Sequence, residues 1–342
     1  MTEAARRWLV LAILAAALPL AMAAAVALGS VPLPIGRVVA SLASAAGLPS
    51  WGPPLDASGV AILWSVRLPR VLLAALVGGG LAVVGTTLQS VFRNPMADSG
   101  LLGVGAGAAF GAVLAVRLGW AAHVFLALPL AAFVGAMAAI VAVYVLAHAG
   151  GRPSLQGLLL TGIAVSALAS AGTSVLLVAT EEFRVKTVLF WLAGGLEGRS
   201  WTHVQLAALF ILAGVLLLAL LSRPLDVLSL GEDEAASLGL AVHATRLTLF
   251  ALAALVAGAA TSVAGSVPFV GLMAPHALRP HVGPLARHLI PASFLAGAAL
   301  VVLADLGART LSDRLDLPLG SFTAFVGAPY FLFALRASEG RS

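Results

Sequence analysis

The sequence predicts an all-α polytopic membrane protein, and three observations support that fold class. Of the 342 residues, 61% are apolar and only 10% are charged. The mean hydropathy is +1.07, and because one crossing helix uses about 20 residues, the apolar stock suffices for about ten crossings. The apolar runs show no strict alternation, and in lipid such runs satisfy their backbone polar groups within helices.

The apolar run over residues 8–28 follows Arg6 and Arg7, as in a signal peptide. It is longer than the roughly 7–15 residues of a signal peptide's apolar region, so we predict a retained first span. A Pro-rich, more polar stretch over 30–63 follows. The later runs predict spans over 70–91, 98–116, 121–147, 155–180, 203–221, 246–264, 266–278, 289–306 and 320–335. The chain 1–342 therefore reads as a single transmembrane domain.

Glycines cluster inside the predicted spans, and this pattern predicts closely packed helices. The glycines in question are Gly78, Gly79, Gly80, Gly103, Gly105, Gly107 and Gly111. Small side chains let two helix backbones approach each other in lipid.

A weak internal repeat relates two parts of the chain. An ungapped shift of 180 residues aligns Gly78 with Gly258 and Pro95 with Pro275. Five predicted spans lie within that shift, and an odd number reverses the direction of the second half. We therefore predict an inverted repeat with halves at about 64–180 and 243–336, an arrangement common in transporters.

Charge and cysteine content exclude several functions. The net charge of +5 comes from 18 Arg and one Lys against 14 carboxylates, and in a membrane chain such cations belong to loops rather than to a nucleic-acid surface. The absence of Cys excludes disulfides, thiol catalysis and Cys-based metal sites. The cations divide almost evenly between the two sides, so charge alone does not set the orientation.

The predicted spans lack the residues that ion-driven carriers and intramembrane enzymes need. We place the carboxylates, Asp305 among them, in loops or at span ends, which leaves no obvious site for a driving ion. The His residues never form H-E-x-x-H. Lys186 lacks the glycines of a P-loop, so any ATP that drives transport is hydrolysed on another polypeptide.

The segment 230–240 predicts a short helix outside the membrane. It places Glu232, Asp233 and Glu234 in a first turn, where the helix dipole favours acids, and Gly239 at the end. Two interpretations stay open on these residues alone: a solvated connector, or a helix that contacts a partner protein.

Several long motifs resemble the FecCD-type permeases of binding-protein-dependent ABC importers for iron–siderophores, haem and cobalamin. They read R-L-P-R-V-L-L-A-A-L-V-G-G-G from Arg67, Q-S-V-F-R-N-P-M-A-D-S-G-L-L-G from Gln89, F-V-G-L-M-A-P-H-A-L-R from Phe269 and L-P-L-G-S-F-T-A-F-V-G-A-P-Y-F-L from Leu317. The resemblance covers nearly all of the chain.

The resemblance implies ten helices per subunit and a homodimer around a central pathway in the inner membrane. It also implies two ATP-binding cassette subunits on the cytoplasmic side, a periplasmic substrate-binding protein, and cytoplasmic termini. No cofactor is held permanently: haem or a ferric chelate is cargo, ATP is used by the partner, and the subunit itself is not an enzyme.

The resemblance further assigns residues to contacts with partners. Arg67, Arg70 and Arg309 resemble the external arginines that pair with carboxylates of the binding protein, which suits the bidentate fork of Arg. The segment 230–240 resembles the coupling helix that docks on the ATPase. Its predicted contact residues are Gly231, Glu232, Asp233, Glu234, Ala235, Leu238 and Gly239.

A cytoplasmic gate is implied by the match of Asn94, Pro95 and Met96 to the N-P-L of the family, with Met in place of Leu. Leu155 and Gln156 fall near a second contribution to the same constriction. Asn94 could serve as a helix N-cap instead of, or as well as, a gate residue.

These observations predict the permease subunit of an ATP-driven importer for haem or a ferric siderophore, working by alternating access. We expect a weak cargo site lined by small apolar residues. A cobalamin permease is the first alternative, and a stand-alone secondary carrier is the second. An intramembrane hydrolase has no support beyond the presence of Ser and His.

Overall fold

The structure is a computed structural model that describes residues 2–29, 31–49, 52–148, 155–311 and 317–339. These residues form helices and connecting turns and contain no β-strand. The prediction of an all-α fold is confirmed. Seven helical segments in the described residues are long and apolar enough to cross a membrane: Glu3–Ala27, Ala57–Val91, Ala127–Ala147, Gln156–Val178, Trp201–Leu220, Val242–Ala264 and Ala286–Thr310.

The helices follow one another along the chain with short connections. In order they are α1 (Glu3–Ala27), α2 (Ile35–Ala45), α3 (Ala57–Ile62), α4 (Leu68–Val91), α5 (Val104–Arg117), α6 (Trp120–His123), α7 (Ala127–His148), α8 (Leu155–Val178), α9 (Glu182–Ala193), α10 (Trp201–Leu220), α11 (Ser222–Leu228), α12 (Glu232–Ser237), α13 (Val242–Ala264), α14 (Val270–Val282), α15 (Ala286–Thr310) and α16 (Leu319–Glu339). A π-helical turn (Leu63–Arg67) precedes α4, and a 3₁₀ turn (Ser99–Leu102) precedes α5.

Each of the ten predicted spans coincides with a helix, but three of those helices differ from an ordinary span. The span predicted over 98–116 begins later, at Val104, because Asp98 caps the 3₁₀ turn and Gly103 adopts a φ of 75°. The span predicted over 266–278 corresponds to α14, which has only 13 residues. The span predicted over 320–335 corresponds to α16, whose apolar part, Leu319–Phe333, is shorter than the seven long apolar segments.

The Pro-rich stretch over 30–63 is more ordered than its composition indicated. It forms α2, α3 and the start of the π-helical turn. The Asp56 side chain accepts from Gly59 N at 3.0 Å and caps α3, and Leu55 N donates to Ser41 Oγ at 2.8 Å. Local capping therefore ordered a region in which apolar periodicity gave no signal.

α4 lies at the centre of the bundle and packs against α10, α13, α14 and α15. Glycines make this possible. A Cβ added to Gly78 would overlap the carbonyl of Gly297 in α15, and one added to Gly85 would overlap the carbonyl of Gly271 in α14. The predicted close packing is confirmed at these crossings.

The same packing joins α5 to α7, where a Cβ at Gly107 would overlap the Gly135 carbonyl and one at Gly111 would overlap the Ala131 carbonyl. Gly105 is an exception among the predicted glycines, since a Cβ there would meet open space.

The chain between α13 and α14, residues 265–269, is not helical. Its last residue, Phe269, has a φ of 68°. Gln89 Nε2 of α4 donates to Gly271 O at 3.1 Å, and Arg279 NH2 donates to Gln89 Oε1 at 3.2 Å. The helical donor to Gly271 O would be the N–H of residue 275, which is Pro275 and has none, so the Gln89 side chain supplies that hydrogen bond.

The ungapped repeat does not extend through both prolines. Pro95 lies in the turn after α4, whereas Pro275 lies inside α14. The inverted arrangement of the two halves stays a prediction.

The bundle has two polar ends, which its long helices connect. α4 begins near Arg70 and ends near Arg93, whose guanidinium would be 3.6 Å from a Cβ on Gly231. α15 begins at Ala286, whose N donates to Asp226 Oδ1 at 2.6 Å, and has Arg309 in its last turn. We call the end that holds α11 and α12 the α12 end, and the other the arginine end.

Candidate functional site

At the α12 end, the short helix α12 is held against the bundle by its own buried residue and by the residues on either side of it. Gly231, with a φ of 144°, precedes α12, and Gly239, with a φ of 82°, follows it. Leu240 N donates back to Ala235 O at 3.0 Å, and the Ala235 side chain is completely buried. Glycines in these conformations close both ends of a helix that is too short to stand alone.

Charged side chains fix both α11 and α12 to the bundle. Glu232 pairs with Arg246 of α13 at 2.6 Å. Asp226 of α11 accepts from the backbone of α15; desolvation raises the pKa of this carboxyl, and the hydrogen bond from Ala286 N opposes that rise. Leu230 and Leu238, which lie on either side of α12, are 61% and 67% exposed.

The predicted gate residues lie at this same end of the bundle. Asn94 Oδ1 accepts from Met96 N at 2.9 Å, so Asn94 caps a turn. The alternative that Asn94 is a helix N-cap is wrong, because α5 begins only at Val104, after Gly103. Met96 is 38% exposed.

The second predicted gate contribution begins α8. Leu155 is its first residue, with a side chain outside the described part of the structure, and the Gln156 side chain is exposed. A Cβ added to Gly162 of α8 would overlap the carbonyl of Leu101, close to the gate turn in sequence. Both segments therefore approach the same end of the bundle, and their role as a gate stays a prediction.

At the arginine end, one carboxylate holds two arginines. Asp305 is 1% exposed. Its Oδ1 lies 2.9 Å from Arg70 NH2, and its Oδ2 lies 3.1 Å from Arg309 Nε. Arg309 NH2 also donates to Ala25 O of α1 at 3.0 Å.

Asp305 lies near a span end, as the sequence indicated, but it is buried there rather than solvated. It lies inside α15, five residues before the helix ends, and two guanidinium groups supply the opposite charge that a buried carboxylate needs. The signal in the sequence was the spacing of Asp305 and Arg309, which places both on one face of a helix.

The three arginines predicted to face a binding protein lie together but bind within the chain. Arg67 is 4% exposed, and its guanidinium donates to the carbonyls of Val26 and Val31. Arg70 and Arg309 are engaged by Asp305. In this conformation Arg67 fastens the end of α1, and the docking role of all three stays a prediction.

Two residues that the sequence analysis did not single out also lie at the arginine end. Trp191 and Arg199 line a partly open cavity of about 310 Å³ between α9, the loop that follows it and residues 317–319. The only signal for them was an aromatic and a cation beside the glycines of the loop 194–198.

A larger, apolar cavity of about 920 Å³ lies between α5, α7 and α8. Small residues form much of its wall, including Gly107, Gly111, Gly135 and Gly172. No group of three or more His, Cys, Asp or Glu residues that could hold a metal occurs in the described residues. His276 instead packs edge to face with Tyr330, their ring centroids 6.4 Å apart.

A helical membrane bundle with a short helix, α12, outside its long helices at one end and clustered arginines at the other end has the architecture of a transport permease. The FecCD transport family matches residues 15–337, and the chain belongs to this family.

Three similar proteins place the chain within the family. It is 42% identical over 281 residues to the cobalamin import system permease protein BtuC of Halobacterium salinarum, covering 82% of this chain and 75% of that protein. It is 40% identical over 285 residues to the hemin transport system permease protein HmuU of Yersinia pestis, covering 82% and 85%. A solved ABC transporter assigned to the metal-chelate type, in an inward-facing conformation, matches with a TM-score of 0.84 at 30% identity, covering 96% and 98%.

The protein is therefore a multi-pass inner-membrane permease subunit of an ABC importer for an iron chelate, haem or cobalamin. In this family the ATPase is a separate subunit, and a periplasmic binding protein works with the permease.

Proposed function

We propose that this permease carries haem or a ferric siderophore, delivered by a periplasmic binding protein, across the inner membrane by alternating access. The observation that carries the ATP-driven mechanism is α12, which is fixed by the buried Ala235 and the Glu232–Arg246 pair and exposes Leu230 and Leu238. A short helix that is held in place and flanked by two exposed leucines suits an ATPase groove, because a coupling element must transmit movement in both directions.

The proposal includes a homodimer with the pathway between its two copies. α8 supports this arrangement as the least buried of the long apolar helices that the structure describes: 11% of its apolar stretch is buried in one chain, against 17% for α1 and 22% for α7. A second copy would cover part of that exposed face. The turn at Asn94, Pro95 and Met96, with Leu155 and Gln156, would close the pathway at the α12 end.

Docking of the binding protein is assigned to the arginine end, at Arg67, Arg70 and Arg309. Arg70 is the most accessible of the three, with 18% of its side chain exposed, and a carboxylate from the binding protein would share it with Asp305. Arg70→Gln should weaken docking about tenfold at low salt, whereas Arg117→Gln, an exposed change of equal charge, should not. Equal affinities of both variants would remove Arg70 from the interface.

The decisive experiment is uptake into proteoliposomes that contain the chain with its ATPase. Haem, a ferric siderophore and cobalamin are supplied in turn on their binding proteins. We expect ATP-dependent uptake of an iron chelate. Leu238→Asp at the α12 end should abolish both ATPase association and uptake, whereas Leu118→Asp, also exposed but outside α12, should preserve ATPase association.

Cobalamin is the second candidate, and the 42% identical relative named as a cobalamin permease favours it. Uptake of cobalamin alone would replace haem or siderophore as cargo. Uptake that persists without ATP and is lost when the ion gradient collapses would instead indicate a secondary carrier and overturn the proposal.

A further inference from the structure

The cavity between α9, the loop 194–200 and the start of α16 contains two hydrogen-bond donors without acceptors. Trp191 is 8% exposed, and its Nε1–H is buried without a partner, as is the Nε–H of Arg199. Both residues line the cavity. A buried donor without an acceptor costs about 1–3 kcal/mol, so such a pair in one cavity indicates an absent acceptor.

The cation of Arg199 has no counter-ion in the described part of the chain. Its pKa is lowered to about 10 by desolvation, with no carboxylate opposing that fall, so the guanidinium is still charged at neutral pH. Arg70 lines the same cavity, but Asp305 already binds it. Arg199 is therefore the cation of this cavity that is free to bind an anion.

Glycines let the chain segments beside the cavity approach one another closely. Gly194 has a φ of 77°, and a Cβ there would overlap the carbonyl of Ser266. A Cβ at Gly320, in the first turn of α16, would overlap both that carbonyl and the carbonyl of Ala193. Three chain segments thus meet without side chains, and the donors of Trp191 and Arg199 stand at their edge.

We propose that this cavity binds a carboxylate of the cargo through Arg199 and Trp191, and that it favours chelates with free carboxylates. The guanidinium fork of Arg binds a carboxylate through two parallel N–H bonds, and the indole N–H offers a third. Glu197 lines the rim and is exposed, so the cavity holds one uncommitted positive charge beside one negative charge. That balance suits a singly charged carboxylate better than a doubly charged phosphate.

The assignment of this carboxylate to cargo rests on the proposed function, but its binding does not. Haem carries two propionates, so propionate is a suitable probe of the purified, detergent-solubilised chain. In a spectrum of ¹⁵N-labelled indoles, propionate should move the Trp191 signal, identified with Trp191→Phe. The Trp201 signal should stay in place, because Trp201 Nε1–H already donates to Trp64 O at 2.7 Å.

Matched controls separate binding from general effects of solutes. Propionamide, which has the same shape without charge, should move neither signal. Arg199→Gln should weaken the propionate response about tenfold or more, whereas Arg117→Gln should keep it. A Trp191 signal that does not respond, or that responds more strongly to inorganic phosphate than to propionate, would overturn the proposal. An unchanged Trp201 signal in each variant reports that the fold is intact.

A transport experiment tests the link to cargo. With the assembled importer, Arg199→Gln should reduce uptake of haem about tenfold relative to its uptake of the haem dimethyl ester. Equal loss for both forms would contradict selection of a free carboxylate. If no cargo is taken up by the assembled complex, the proposed function fails, while the indole titration still decides whether the cavity binds carboxylate.

Discussion

Asp305 is the residue on which the arginine end depends, since it neutralises Arg70 and Arg309 inside the bundle. Asp305→Asn would leave two buried guanidinium groups without a counter-ion, and removing one partner of a buried pair costs about 3–5 kcal/mol. We expect a clear fall in the thermal midpoint of the purified chain. Glu197→Gln, at an exposed carboxylate of the same end, should leave the midpoint unchanged, and equal midpoints of the two variants would contradict the assignment.

Residue-scale pairing was only partly predictable from sequence. The three arginines that the motifs singled out lie together at one end of the bundle, while their docking role stays a prediction. Arg67 and Arg309 donate to backbone carbonyls of Val26, Val31 and Ala25, and carbonyls carry no sequence signal. Only the pairing of Asp305 with Arg309 was visible, as their spacing of four residues. Trp191 and Arg199 were not singled out either, because the feature that distinguishes them, a buried N–H without an acceptor, is visible only in the structure.

Glycine contacts determine which helices can cross at the centre of the bundle. Gly85→Ala would drive a Cβ into the Gly271 carbonyl, where the backbone cannot yield cheaply, and such overpacking costs about 1–3 kcal/mol. We expect a lower thermal midpoint and a weaker bond between Gln89 and Gly271. Gly105→Ala is the matched control, because a Cβ there meets open space and alanine favours the helix by up to about 1 kcal/mol. A stabilised Gly85→Ala would show that α4 and α14 separate more easily than the contacts imply.

The ion pair that holds α12 against α13 joins two side chains of unequal exposure, 9% for Arg246 and 47% for Glu232. Because one side chain is largely solvated, Glu232→Gln should change the free energy of unfolding by no more than about 1 kcal/mol. It should nevertheless lower the ATP hydrolysis that cargo stimulates in the assembled importer, since a loosely held helix transmits less movement. Ser237→Ala, an exposed change on the same helix outside its predicted contact residues, is the control. Equal stimulation in both variants would separate the ion pair from coupling.

At the scale of elements, periodicity and length predicted most of the helices, and local geometry decided the exceptions. The run over 98–116 reads as continuous, but Asp98 and Gly103 start a turn and delay α5 to Val104. α14 was expected as a span, yet its 13 residues begin inside the bundle, where Gln89 replaces a backbone partner. Hydropathy records burial from water, and it does not distinguish burial in lipid from burial in protein.

At the scale of the whole molecule, contacts show which groups lie together at each end of the bundle. The first turns of α1 lie near Gly283, where Arg7 would be 3.5 Å from an added Cβ, and its last turn contains Ala25, whose carbonyl accepts from Arg309. The start of α1 therefore lies at the α12 end, whatever the balance of charges in the loops. The relative sidedness of all these groups follows from the fold, and only the assignment of one end to the cytoplasm needs a further measurement.

The absence of cysteine makes that measurement direct. Single substitutions Leu238→Cys, Ala4→Cys and Glu197→Cys replace exposed side chains and can be labelled in sealed vesicles with a maleimide that does not cross membranes. Because the long helices connect the two ends, Leu238→Cys and Ala4→Cys should react from the same side, and Glu197→Cys only from the other. Reaction of the first two from the cytoplasmic side would place α12 where an ATPase can reach it. Reaction of all three from one side would mean that the two polar ends do not lie across a membrane, and the transport function would fall with that result.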